Sequence, residues 1–199
     1  MNINDYAKLI FSKESFILEK TQELDDYLTN ISNNIFSNPK QRKNRSFEQV
    51  YNAVKKMTVE HVLVQRNVGF LHNPLPWDKK VPHSHAYDLI HESGCKTFEL
   101  KRWPPNKPDG STAEWFSYPY EAIDNFRKHL DIIDYLIGAK MIEHKDCYEV
   151  GYHMIADAKT FFKYTKKGMY KPTDLVYYHR DAIKDGNCVT NHNVKYRSK

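Results

Sequence analysis

The sequence predicts an α/β fold, a central mixed β-sheet flanked by helices, with a helical arm at its N-terminus. Three observations predict it. Two runs rich in aromatic and β-branched residues flank Ser93-Gly94, the strongest hairpin signal in the chain. Apolar residues recur at helical spacing ahead of that hairpin and again between residues 124 and 141. A run rich in strand formers, Tyr148 to Ala156, follows.

Taken in order, residues 3–31 show helical periodicity through Ile3, Tyr6, Ile10, Phe16, Ile17, Leu24, Tyr27, Leu28 and Ile31, which fits one helix or two. Residues 33–45 are polar, contain Pro39 and end in the run Lys40 to Arg45, a loop that divides the arm (1–42) from an α/β domain (43–199). Ser46-Phe47-Glu48-Gln49 fits a capping box, and Phe47, Val50, Tyr51, Val54 and Met57 share one face of a helix reaching about Arg66. Val68 to Leu71 reads as a strand end, followed by an irregular loop rich in proline. After the hairpin come a Pro/Gly-rich loop, a helix over Asp124 to Met141, the strand Tyr148 to Ala156 and a further strand, Asp174 to Tyr178.

The 199 residues suffice for one domain with a real core and an appendage. Thirty Lys and Arg against 25 Asp and Glu give +5, which permits a polyanionic partner without demanding one. The frequent Asn, Lys and Tyr fit an AT-rich coding source such as a phage. Cys95, Cys147 and Cys188 form no CxxC pair, and their odd number argues against a disulfide framework. No signal-peptide pattern opens the sequence, and no stretch approaches the roughly 20 apolar residues of a spanning helix. The expectation is a soluble, cytoplasmic protein with no membrane partner.

The hairpin carries the chemistry. With Ser93-Gly94 as central turn residues, paired positions sum to 187, so Asp88 lies opposite Glu99, with Cβ atoms about 5 Å apart. Lys101 shares the face of Glu99, about 7 Å along the strand. Tyr87, Leu89, Phe98 and Leu100 occupy the other face, an apolar set suited to packing under a helix. Two opposed carboxylates repel one another, and a hard divalent cation between them turns that repulsion into coordination. Such a cation can activate water and stabilise charge building on a phosphate, while a neighbouring lysine can position or deprotonate the water.

At Asp88 and Glu99-Leu100-Lys101 the sequence resembles the PD-(D/E)XK nuclease superfamily, the restriction-endonuclease-like fold. Tyr87 stands where the motif has its proline. The resemblance implies metal ligation by Asp88, Glu99 and the Leu100 carbonyl, with Mg²⁺ or Mn²⁺ as the ion and Lys101 catalytic. It also implies a helix before the hairpin and a helix plus strand after it, read here at residues 46–66, 124–141 and 148–156. Many members place an acidic residue of that first helix in the site; Glu60 is the candidate, with Glu48 second. The expected activity is hydrolysis of DNA phosphodiester bonds as an endodeoxyribonuclease, and the preference for DNA over RNA rests on the resemblance. The alternative is a catalytically inactive nuclease-like factor that binds nucleic acid or protein.

Other signals compete. His83-Ser84-His85 could ligate a transition metal, or serve as ordinary loop or strand histidines. His179 with Asn191-His192-Asn193 is too near the end of the sequence, with no helix pattern after it, to form an HNH site. Lys163, Lys166 and Lys167, interleaved with Phe161, Phe162 and Tyr164, could contact nucleic acid, or form a hairpin with aromatics inward and lysines in water. The apolar arm is expected to dock on its own domain or to pair with a second chain as a homodimer.

Overall fold

The computed structural model describes residues 1–42, 44–73, 87–102, 117–119, 130–167, 174–177 and 179–197. Asn2 opens helix α1 (Ile3–Ile10) through a capping box with Asp5. Strand β1 (Phe16–Glu19) follows, then α2 (Gln22–Ser37), capped by Thr21, and the single turn α3 (Pro39–Arg42). The first 42 residues were expected to be helical; the strand within them is a departure from that reading. The expected capping box forms at Ser46 and Gln49 and starts α4 (Phe47–Val54). A 3₁₀ turn, Lys55–Met57, separates α4 from α5 (Thr58–Gln65), so the region read as one helix is two.

One mixed sheet holds β1, β2 (Phe70–His72), β3 (Leu89–His91), β4 (Lys96–Arg102), β6 (Tyr135–Glu143), β7 (Cys147–Asp157) and β10 (Cys188–Thr190). Its order is β1-β7-β6-β4-β3-β2, and β10 pairs with β7 beyond the stretch taken by β1. Among the pairings of this sheet, β4 with β6 is parallel and the others are antiparallel. A smaller sheet joins β5 (Ser117–Pro119), β9 (Asp174–Tyr177) and β8 (Thr165–Lys167). Helices flank the main sheet, which is curled. Among the described residues no helix is long and apolar enough to cross a membrane.

The helix expected over Asp124 to Met141 is corrected in its second half. Residues 124–129 lie outside the described residues, whereas Tyr135–Glu143 is the central strand β6, bulged between Gly138 and Ala139. Leu136, Ile137 and Ala139 are all buried, because a central strand is covered on both faces. Such a run lacks alternation and cannot be told from a buried helix by periodicity. The strand expected at Tyr148 to Ala156 is β7, and β9 forms over Asp174–Tyr177 of the one expected at Asp174 to Tyr178, Tyr178 lying outside the described residues.

The N-terminal segment is built into the core. Tyr6 and Ile10 are fully buried, and the Tyr6 ring meets Phe98, His91 and Tyr135 edge-on or tilted at 5.0–5.3 Å. Arg66 donates from Nη1 to the Ile10 carbonyl at 3.0 Å and lies over the Phe16 ring, so the C-terminal ends of α1 and α5 are held together. The segment therefore docks on its own sheet, and strand β1 extends that sheet.

Candidate active site

The hairpin register is the one the turn predicts. Leu89 pairs with Phe98, Ile90 with Thr97 and His91 with Lys96, each summing to 187. Two groups fix the turn. His91 Nδ1 accepts the Ser93 N–H at 3.1 Å, which leaves Nε2 to donate to the Val68 carbonyl at 3.0 Å. Gly69, at φ +88°, is required beside it, because a Cβ there would collide with the His91 ring. The turn after α5 is thereby clamped to the hairpin.

At Asp88 the backbone leaves the regular ladder. Its N–H donates to the Phe98 carbonyl at 2.9 Å, and its carboxylate Oδ2 accepts the Leu100 N–H at 2.6 Å. Glu99, 8% exposed, and Lys101 form an ion pair from the same strand face. Helix α5 is held against the sheet by Tyr152 of β7, whose hydroxyl donates to the Val59 carbonyl at 2.6 Å. That bond sits one residue before Glu60 and brings its carboxylate to the hairpin.

Asp88, Glu99, Leu100, Lys101 and Glu60 line a single cleft of about 410 Å³, together with Lys56 and the apolar Met57, Val59, Ala139 and Met141. Burial, then the Asp88 carboxylate and then Glu99, hold the Glu60 carboxyl well above the ordinary range, with Lys101 pulling the other way. Glu48, by contrast, is exposed on the first turn of α4 and is not among the lining residues. The donor set is hard oxygen, which suits Mg²⁺ or Mn²⁺. Among the described residues no three ligand-type side chains are drawn to a common point; Asp88 is held by the Leu100 amide and Glu99 by the Lys101 ammonium.

A second, smaller recess of about 220 Å³ shares Ala53, Met57, Glu60 and Asp88 with the cleft and continues past Tyr27, Arg45, His72, Asn73 and Tyr87. His72 lies in a stack with His61 and Tyr27, the centroids 5.8 Å apart for His61–His72 and 5.2 Å for Tyr27–His61. Burial pushes both imidazoles below their ordinary range, with each other's proximity adding for His72. Sequence reading missed this stack and Lys56. Glu60 was a visible neighbour of His61, but nothing in spacing or periodicity links His61 to His72.

The remaining candidates are elsewhere. Phe161 and Tyr164 are buried in a second apolar cluster with Tyr177, so these rings face the core rather than open solvent. Lys163 is exposed and ion-paired to Asp185 at 2.7 Å. Lys166 and Lys167 lie on β8, and their side chains are outside the described residues, as are His83 and His85. Comparison with known protein families, with characterised proteins and with solved structures gives no match.

Proposed function

We propose that the chain is a metal-dependent nuclease that hydrolyses DNA phosphodiester bonds as an endodeoxyribonuclease, with a PD-(D/E)XK-type site. The observation that carries this reading is the meeting of Asp88, Glu99 and Lys101 from the hairpin with Glu60 from the preceding helix in one cleft. The chain order supports it too: α5 precedes three antiparallel strands, β2, β3 and β4, and a later strand, β6, runs parallel to β4. Carboxylates crowded in a half-buried cleft repel one another, and a cation among them offsets part of that cost.

In this reading Asp88, Glu99 and the Leu100 carbonyl would hold Mg²⁺ or Mn²⁺, and the ion would supply activation of water and a positive charge against the phosphate. Lys101 would leave Glu99 to orient the attacking water, and would accept its proton only after first giving up its own ammonium proton to solvent. Glu60, held protonated more readily than an ordinary carboxyl, supplies or takes a proton at the cleft wall, or joins the ligands. Lys56 meets the phosphate at the mouth. Lys163, Lys166 and Lys167 would be phosphate contacts outside the cleft, Lys163 after exchanging Asp185 for a phosphate.

The test is incubation with plasmid, linear duplex, single-stranded DNA and RNA, in Mg²⁺, Mn²⁺ or EDTA. DNA cleavage with either metal and none in EDTA is expected. Lys101→Ala should abolish cleavage while leaving DNA affinity in Ca²⁺ near wild type. Cleavage by Lys101→Ala at the wild-type rate would make Glu99-Leu100-Lys101 an ordinary charged strand edge and favour the non-catalytic binding factor.

A further inference from the structure

Resting on the nuclease reading, we infer that the recess lined by Tyr27, His72 and Tyr87 receives an unpaired nucleobase next to the scissile phosphate. The substrate class is then nucleic acid carrying a single-stranded, frayed or flipped-out nucleotide at the cut.

The recess is an extension of the cleft, since Glu60 and Asp88 form part of both walls. A phosphate near those carboxylates places its neighbouring nucleoside within reach of the recess. The two lobes differ in chemistry. Lys56 and Lys101 line the larger one and suit a phosphodiester. The smaller one has apolar walls, Ile35, Val50, Val54 and Met57, with Tyr27, His72 and Tyr87 among its lining and the charged Arg45, Glu60 and Asp88 at its edge. That lining suits a flat, uncharged, partly polar group of the size of one base.

The histidine stack gives the recess a preset planar wall. His61 and His72 lie within 16° of parallel, and Tyr27 stacks on His61 at 28°. Gln65 Nε2 donates to His61 Nε2 at 2.9 Å, which fixes that ring from behind. Among the described residues, His72 Nε2 and His61 Nδ1 are both buried with no hydrogen-bond partner, two unmet polar atoms in this stack, and His72 is the one that lines the recess. Asn73 is held beside it by its side-chain donation to the Tyr87 carbonyl at 2.8 Å and its N–H to the Asp88 carbonyl at 3.1 Å. A base lodged here cannot remain stacked and paired in a regular duplex, so a matched duplex must first open.

The experiment uses full-length protein and short oligonucleotides carrying 2-aminopurine beside the cut, as single strand, matched duplex and duplex with one mismatch. Cleavage in Mg²⁺ should be at least about ten-fold faster for single strand and mismatch than for matched duplex. Binding is read separately in Ca²⁺ with Lys101→Ala. Fluorescence should be quenched on binding; His72→Ala should lose the quench and about ten-fold in single-strand affinity, whereas His72→Phe keeps both. Matched melting curves establish that both His72 variants are folded. Equal cleavage of all three forms, or a quench that both variants leave intact, would overturn the inference. If no DNA is cut in any metal, the nuclease reading fails, while the fluorescence arm still decides whether the recess takes a base.

Discussion

Replacing Asp88 separates the structural and chemical tasks of one carboxylate. Its Oδ2 accepts the Leu100 N–H at 2.6 Å, a charge-assisted bond at the point where β3 leaves the ladder. Asp88→Ala removes that bond, at a cost of about 2 kcal/mol, which for a chain of this size lowers Tm by about 4–8 °C. Asp88→Asn keeps an amide oxygen for the same N–H, so its cost should fall to about 1 kcal/mol, or about 2–4 °C. Metal binding removes this difference between the variants. A ligand at one hundred times its Kd stabilises a protein by about 2.7 kcal/mol, so wild type should melt about 5–10 °C higher in saturating Mg²⁺ or Mn²⁺ than in EDTA. Neither variant should show that rise, and both should lose cleavage. Melting in EDTA and in metal, with plasmid cleavage run in parallel, reads all of this. An Asp88→Asn protein that keeps the metal-dependent rise, or cuts at the wild-type rate, would remove Asp88 from the proposed metal site.

Glu60→Gln should lower cleavage at least about ten-fold, with DNA affinity in Ca²⁺ unchanged, while Glu48→Gln should cut normally; equal effects would detach α5 from the chemistry. Because the Glu60 carboxyl is held above its ordinary 4.5, the unfolded chain ionises first and stability falls as pH rises above that value; Glu60→Gln should flatten this loss in EDTA melts. His153 moves the other way. Burial holds it down to about 4 against an ordinary 6.5, so the unfolded state takes up the proton first and up to about 3 kcal/mol is lost between pH 6.5 and 4, a slope that His153→Gln should reduce. Gly151→Ala should release the C-terminal segment, since its Cβ would strike Tyr196, which donates to His153 Nε2 at 2.6 Å; a Tm unchanged within about 1 °C would refute that packing.

What the sequence made legible was set by local rules. The hairpin register followed from a turn centred on Ser93-Gly94 and strict alternation, and these alone placed Glu99 and Lys101 on one face; the connection that forms is the four-residue turn Glu92–Cys95. The capping box at Ser46 and Gln49 was equally local. Strand β6 was not legible as a strand, because burial on both faces removed its period. Strand β1 was absorbed into the apparent helix because Phe16 and Ile17 continue the apolar spacing of the flanking helices. The His61–His72 stack is a contact between a helix and an edge strand, and tertiary packing of that kind leaves no mark on spacing.

The same limit explains why the sequence alone cannot sort this chain's carboxylates, and why their surroundings can. Glu149 is completely buried in β7, yet it accepts hydrogen bonds from Ser15 Oγ at 2.5 Å, His144 Nε2 at 2.7 Å and the Arg197 N–H at 2.7 Å. Burial pushes its carboxyl up, but these donors more than offset it and leave it below the ordinary range. Glu149 is thus a clamp that fixes both ends of the chain to the sheet. Glu60 meets burial and two further carboxylates, and its carboxyl rises. Both are glutamates near the sheet, but one is surrounded by donors and the other by like charge. Only the second arrangement would gain from a cation, and it occurs where the hairpin and α5 open a cleft. Mutation should show the contrast directly: Glu149→Gln weakens the fold and leaves the metal response intact, whereas Glu60→Gln strengthens the metal-free fold and weakens that response.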